Sequence, residues 1–228
     1  MKRFSIYILA FLLPVCCLAQ ETVIIKRKLI PGVKERISVL KSDNVTKQGL
    51  YQALLDDKRA LAVGNYASNK KTGIWNFYDT RNNLIQRFNY TTNTLVYEAP
   101  EDSTTNCHYV VDRTLSDTDH TTKPIIRGGR YYGYINYLRL FRLPNDMRNI
   151  DNEAVTTTIE LLVSPGGRLA DYVVHFQAPN YDRKVGFNID FLSDEDKTFI
   201  PATINGEPIA CRIFVRCFLT SGGDLDLY

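Results

Sequence analysis

The sequence is poor in the residues that small-molecule chemistry needs. Its 3 histidines, His108, His120 and His175, are scattered and have no Cys, Asp or Glu at metal-ligand spacing. A solvated or hydrogen-bonded ring is the ordinary role for each. No G-x-S-x-G, G-x-G-x-x-G or phosphate-loop pattern occurs, and Ser164 and Ser221 have no base that the sequence assigns to them. Gly128-Gly129 and Gly166-Gly167 read as turn glycines rather than phosphate cradles. Asp56-Asp57 reads as a hairpin tip and Asp194-Glu195-Asp196 as a solvated loop. An enzyme reading therefore has no residue to stand on, and no cofactor, metal or small-molecule substrate is implied.

Charge of one sign is also scarce. The net charge is +3, of which Lys2 and Arg3 supply two. Without a basic stripe, nucleic acid and anionic membrane surfaces are poor partners. The 9 prolines are dispersed, so there is no extended Pro-rich rod. The one long apolar run, 4–19, covers about 16 residues and about 24 Å as a helix, short of a bilayer core of about 30 Å, and Pro14 interrupts it. Lys2-Arg3, the apolar stretch 6–15 and Cys17-Leu18-Ala19 before Gln20 read instead as a signal peptide cleaved after Ala19. Lipidation at Cys16 or Cys17 fits less well, since Val15 and Cys16 precede them. Export leaves Cys107, Cys211 and Cys217. The last two share a strand face about 20 Å apart and cannot bridge each other. Cys107 either pairs with one of them or all three stay buried as free thiols.

What the chain has in quantity is aromatic residues, with 14 Tyr and 11 Phe, which favour sheet. The stretch 209–219 alternates strictly: Ile209, Cys211, Ile213, Val215 and Cys217 point one way, and Arg212, Phe214, Arg216 and Phe218 the other. Asn205-Gly206, flanked by Pro201 and Pro208, places a tight turn before it. At the other end, 22–29 and 33–40 are strand-like runs separated by Pro31-Gly32. Between them lies a repeat of about 24 residues: Gly49-Leu50-Tyr51 recurs as Gly73-Ile74-Trp75, Leu61 as Ile85, Tyr66 as Tyr90 and Asn69 as Asn93. A hairpin of this kind cannot bury its apolar face alone, and two copies are marginal, so 22–40 is expected to extend the same sheet. Trp75 is its anchor.

Two family resemblances follow from these motifs. Gly73, Trp75, Phe77, Tyr78, Leu84, Tyr90 and Asn93 resemble the MORN-like repeat of the YwqK type, with Asn82-Asn83 replacing the glycine of its second turn. The last stretch resembles the C-terminal domain of the TonB family in its Bacteroidetes-type form. Pro124 to Gly128-Gly129 matches its P-x-x-x-G-G opening. Gly167, Leu169, Asp171 and Val174 match G-x-L-x-D-x-x-V, and Phe199, Pro201, Ala202, Asn205, Gly206 and Pro208 match its W-x-P-A-x-x-N-G-x-P block. Leu143 and Phe199 depart from the usual Tyr and Trp but keep an apolar role.

The expected architecture is α+β: signal peptide 1–19, a MORN-like hairpin sheet 20–98, a linker 99–123, a TonB-like domain 124–219 and a tail 220–228. The TonB resemblance implies a three-stranded antiparallel sheet, with helices at 131–141 and 182–192. It also implies a domain that grips an outer-membrane transporter by strand addition at an exposed sheet edge. The stretch 209–219 is the expected free edge, with Arg212, Phe214, Arg216 and Phe218 as partner-binding residues; Arg212 and Arg216 either guard that edge or simply solvate an exposed face. Gly73, Trp75, Tyr90, Gly128, Gly129, Pro201, Asn205 and Gly206 are structural. The expected function is an exported, non-enzymatic cell-envelope module whose partner is another periplasmic or outer-membrane protein. The alternatives are a membrane-anchored TonB-like energy transducer, and a secreted enzyme with a site the sequence does not reveal.

Overall fold

Alternating apolar and polar residues over 22–98 form seven strands: β1 (Thr22–Ile30), β2 (Val33–Leu40), β3 (Lys47–Leu55), β4 (Arg59–Ala67), β5 (Lys70–Tyr78), β6 (Leu84–Asn89) and β7 (Thr94–Glu98). They pair antiparallel in chain order as one meander. The computed structural model describes residues 21–101, 105–147 and 152–227; the expected signal peptide lies outside them. Tight turns between the strands place Asp56, Asp57, Asn69, Asn82 and Asn93 at positive φ, a conformation that Asn and Asp tolerate best among residues with a side chain.

One face of this sheet is aromatic. Trp75 is fully buried, with its ring centroid 5.1 Å from Tyr51, 5.2 Å from Tyr66 and 5.5 Å from Tyr90. Its indole Nε1 donates to the Asn65 carbonyl at 3.2 Å. The ring lies flat on Gly64 of β4, where a Cβ would come within 2.1 Å of it. Glycine there makes room for the tryptophan, whose truncation to alanine in such a core costs roughly 3–5 kcal/mol. At Gly73 the reason differs. A Cβ would meet nothing within 4 Å, but φ is +63°.

The rest of the chain builds a second sheet. Its elements are β8 (Cys107–Val111), β9 (Thr121–Thr122), β10 (Ile125–Ile126), α1 (Ile135–Leu140), β11 (Thr156–Val163), β12 (Leu169–Ala178), β13 (Tyr181–Gly186), β14 (Phe199–Ile200), β15 (Ala202–Ile204), β16 (Glu207–Ile209), β17 (Cys211–Leu219) and β18 (Leu225–Leu227). The order is β13-β12-β11-β17, with β8 and β18 end to end along the far flank of β17. Two small pairings, β10 with β14 and β9-β15-β16, lie beside it. Asn205 and Gly206 turn at φ +52° and +86° between β15 and β16.

The α+β expectation is corrected on three points. The described residues are mostly β, with 55% in strands and 8% helical. The second sheet has six strands, not three. Of the two expected helices, 131–141 is a 3₁₀ turn at Tyr132–Tyr134 running into the six-residue α1, which stops before Pro144. The other, 182–192, is strand β13 followed by a 3₁₀ turn at Ile189–Phe191. Here Tyr181, Arg183 and Val185 are half-buried while Asp182, Lys184 and Gly186 are exposed, a period of two that a helix cannot use.

Segments expected to be linker and tail are part of the sheet as well. Cys107 of β8 lies opposite Val215, and Leu227 of β18 lies opposite Cys217. Strand β17 is therefore flanked on both sides, and the expectation that 209–219 is a free edge is overturned. Cys107, Cys211 and Cys217 are all free thiols, so the disulfide alternative falls. Burial pushes the thiols of Cys107 and Cys211 up to about 11 and that of Cys217 to about 12, which leaves them unreactive at neutral pH. A single hydrophobic core runs from Trp75 and Phe77 through Tyr134 and Tyr137 to Tyr172 and Phe176, and so joins the two sheets.

Candidate functional site

The segment that enters the second sheet is also the one that docks on the first. Gly128 and Gly129 turn at φ +114° and +72°. Their amides donate to Oε1 of the fully buried Gln86 at 2.8 and 3.0 Å, while its Nε2 donates to the Ile126 carbonyl at 2.9 Å and to Glu98 at 2.8 Å. The next residues carry Tyr132 onto the first sheet, where it stacks on Phe77 at 5.7 Å and shares a hydrogen bond with the Tyr51 hydroxyl at 2.8 Å. Helix α1 then passes beside β1. Tyr137 donates to the Asp196 carbonyl at 2.6 Å, which ties the 193–198 loop to the helix.

Between β1, the β5 end of the first sheet, α1 and that loop lies a cleft of about 1130 Å³. Its lining holds eight Lys or Arg side chains against four carboxylates. The whole chain carries only +3, so this one concavity concentrates positive charge that the composition does not reveal. On its floor, Lys71 Nζ sits 4.7 Å from the Trp75 ring centroid, 5.0 Å from Tyr90 and 5.9 Å from Tyr132. It also meets Glu195 of the loop at 2.6 Å. Nearby, the Arg127 guanidinium lies 5.0 Å over Phe88, and its Nε is buried without a hydrogen-bond partner. The Tyr90 hydroxyl is likewise buried and unpartnered. Burial first, and the Glu195 charge second, hold its proton on far above the ordinary tyrosine range. At the rim stands Phe191, 78% exposed.

The residues singled out from sequence divide between this cleft and elsewhere. Tyr90 lines the cleft and Trp75 underlies it. Arg212, Phe214, Arg216 and Phe218 share the face of the second sheet opposite its core, away from the cleft lining. There Arg212 donates to Glu160 at 2.6 Å, and His175 lies 2.5 Å from the same carboxylate. Phe214 is sandwiched between His108 at 6.4 Å and His175 at 6.2 Å. Pro201 and Asn205-Gly206 belong to the β14–β16 turn region and do not line the cleft.

Sequence reasoning missed Lys71, Arg127, Tyr132 and Glu195. Lys71 reads as one more polar residue in a hairpin. Glu195 sits in an acidic run read as a solvated loop, yet its partner is 124 residues away. Only the three-dimensional arrangement shows the pairing.

Among the described residues, no three His, Cys, Asp or Glu side chains group to hold a metal ion, and no helix is long and apolar enough to cross a membrane. Comparison with protein-family models, curated proteins and solved structures found no match.

Proposed function

We propose that this chain is an exported, non-enzymatic binding protein of the cell envelope that holds a segment of another periplasmic or outer-membrane protein in the basic cleft. The observation that carries the reading is the excess of cations over carboxylates in a cleft of about 1130 Å³. An acidic partner would be drawn to it over the range that screening allows. Phe191 offers an exposed apolar contact at the rim, and an aromatic anchor beside a charged groove suits protein recognition. Strand β1, whose Arg27 and Lys28 enter the cleft wall, pairs only with β2 among the described residues, so a peptide can use its free backbone edge. The signal-like leader and the TonB and MORN resemblances support an envelope setting.

The test is co-purification of partners from cells that express the tagged full-length protein. Lys70→Glu with Arg139→Glu reverses two exposed charges on opposite cleft walls. Lys184→Glu with Arg216→Glu makes the same change on the open face of the second sheet. The cleft pair should lose the partner and the open-face pair should keep it. The reverse pattern would sink the proposal.

A further inference from the structure

Within the cleft, Lys71 is set apart by how it is held. Its side chain is 13% exposed and surrounded by the Trp75, Tyr90 and Tyr132 rings, yet its ammonium is met by a single carboxylate borrowed from the other sheet's loop. Glu195 itself is loosely tied, 36% exposed. The loop around it is fixed without the Glu195 side chain. Asp196 accepts from Asn136 at 2.8 Å and from Ser193 at 2.7 Å, and the Lys197 amide donates to the Ser193 carbonyl at 3.2 Å. The carboxylate can therefore swing away while its backbone stays in place. Beside it lie two buried donors without a close hydrogen-bond partner, Arg127 Nε and the Tyr90 hydroxyl, the latter under the influence of the Glu195 carboxylate itself. Buried donors of this kind gain by acquiring a partner.

We infer that Glu195 is an intramolecular stand-in for a ligand carboxylate, and that the Lys71 position takes an acidic side chain of an extended peptide. The inference rests on the cleft reading above and names the chemistry at its floor. The structure already places a glutamate side chain on the ammonium, which shows that a carboxylate on a flexible stem fits there. A lysine ammonium is a point charge that accepts carboxylate or phosphate alike, so phosphate is the competitor that the test must include. The surrounding excess of cations would hold further acidic residues of the same peptide.

The probe is fluorescein-labelled hexaglutamate, with hexaglutamine and inorganic phosphate as competitors, titrated against the full-length protein at low and physiological salt. Glu195→Gln removes the internal competitor and should tighten binding about 5- to 10-fold. Lys71→Met should weaken it about tenfold or more, whereas Lys71→Arg should stay within about threefold of wild type. Melting temperatures of all three variants check that folding survives. If Glu195→Gln lowers the melting temperature but leaves the dissociation constant unchanged, the pair is only a brace between the sheets and the inference is wrong. Competition by phosphate as strong as by unlabelled hexaglutamate would also overturn it. If hexaglutamate binding responds to Lys70→Glu with Arg139→Glu but not to positions 71 and 195, this inference fails while the cleft reading stands. Binding of hexaglutamate no tighter than hexaglutamine would remove both.

Discussion

Gln86 reaches from β6 into the turn at 126–129, where it accepts from two amides and donates to two oxygens, so all of its polar atoms are satisfied at 0% exposure. Gln86→Leu would leave the Gly128 and Gly129 amides buried without acceptors. It should destabilise the chain by roughly 2–4 kcal/mol in urea unfolding, and a loss under 1 kcal/mol would show that water reaches the turn. The two glycines were legible as turn residues. Their reason was not, because a buried glutamine carries no periodic signature and reads like any solvated polar residue. Lys71 and Glu195 were hidden in the same way. Composition and spacing indicate which faces are apolar, whereas an ion pair joining two sheets depends on how the sheets pack.

At the scale of elements, alternation located the strands of the first sheet and β17 closely, since a period of two survives in any antiparallel sheet with one wet face. It did not reveal what lies alongside a strand. β17 was taken as an edge because its neighbours β8 and β18 come from stretches that are short, polar or near the chain end, and only the fold brings them to its flank. The missing helix at 182–192 is a similar case: Tyr181, Arg183 and Val185 face inward at every second residue, a pattern that outweighs any helical preference. The outer face of this sheet also makes a pH prediction. Burial alone would raise the Glu160 carboxyl, but hydrogen bonds from Arg212 and His175 outweigh it and hold the group below its ordinary value of 4.5. A lowered carboxyl contributes stability that is complete above the unfolded value and fades as pH falls through the folded one. Glu160→Gln should therefore lower the melting temperature by about 2–4 °C at pH 7, and the gap to wild type should close below pH 4. A gap of constant size across that range would show that the pairing, not the charge, matters.

At the scale of the whole molecule, one hydrophobic core joins a seven-stranded meander to a six-stranded sheet, and Gln86, Tyr132 and the 193–198 loop lock their relative placement. That placement creates a basic cleft from residues unremarkable in isolation, in a chain whose overall charge is nearly balanced. The central claim is that recognition occurs there and not on the face of β17. The most direct measurement is photo-crosslinking in cells from a reactive residue at position 70, on the cleft wall, and another at position 216, on the open face. Adducts to one partner from position 70, absent from position 216, are the predicted result; adducts from position 216 alone would contradict the account.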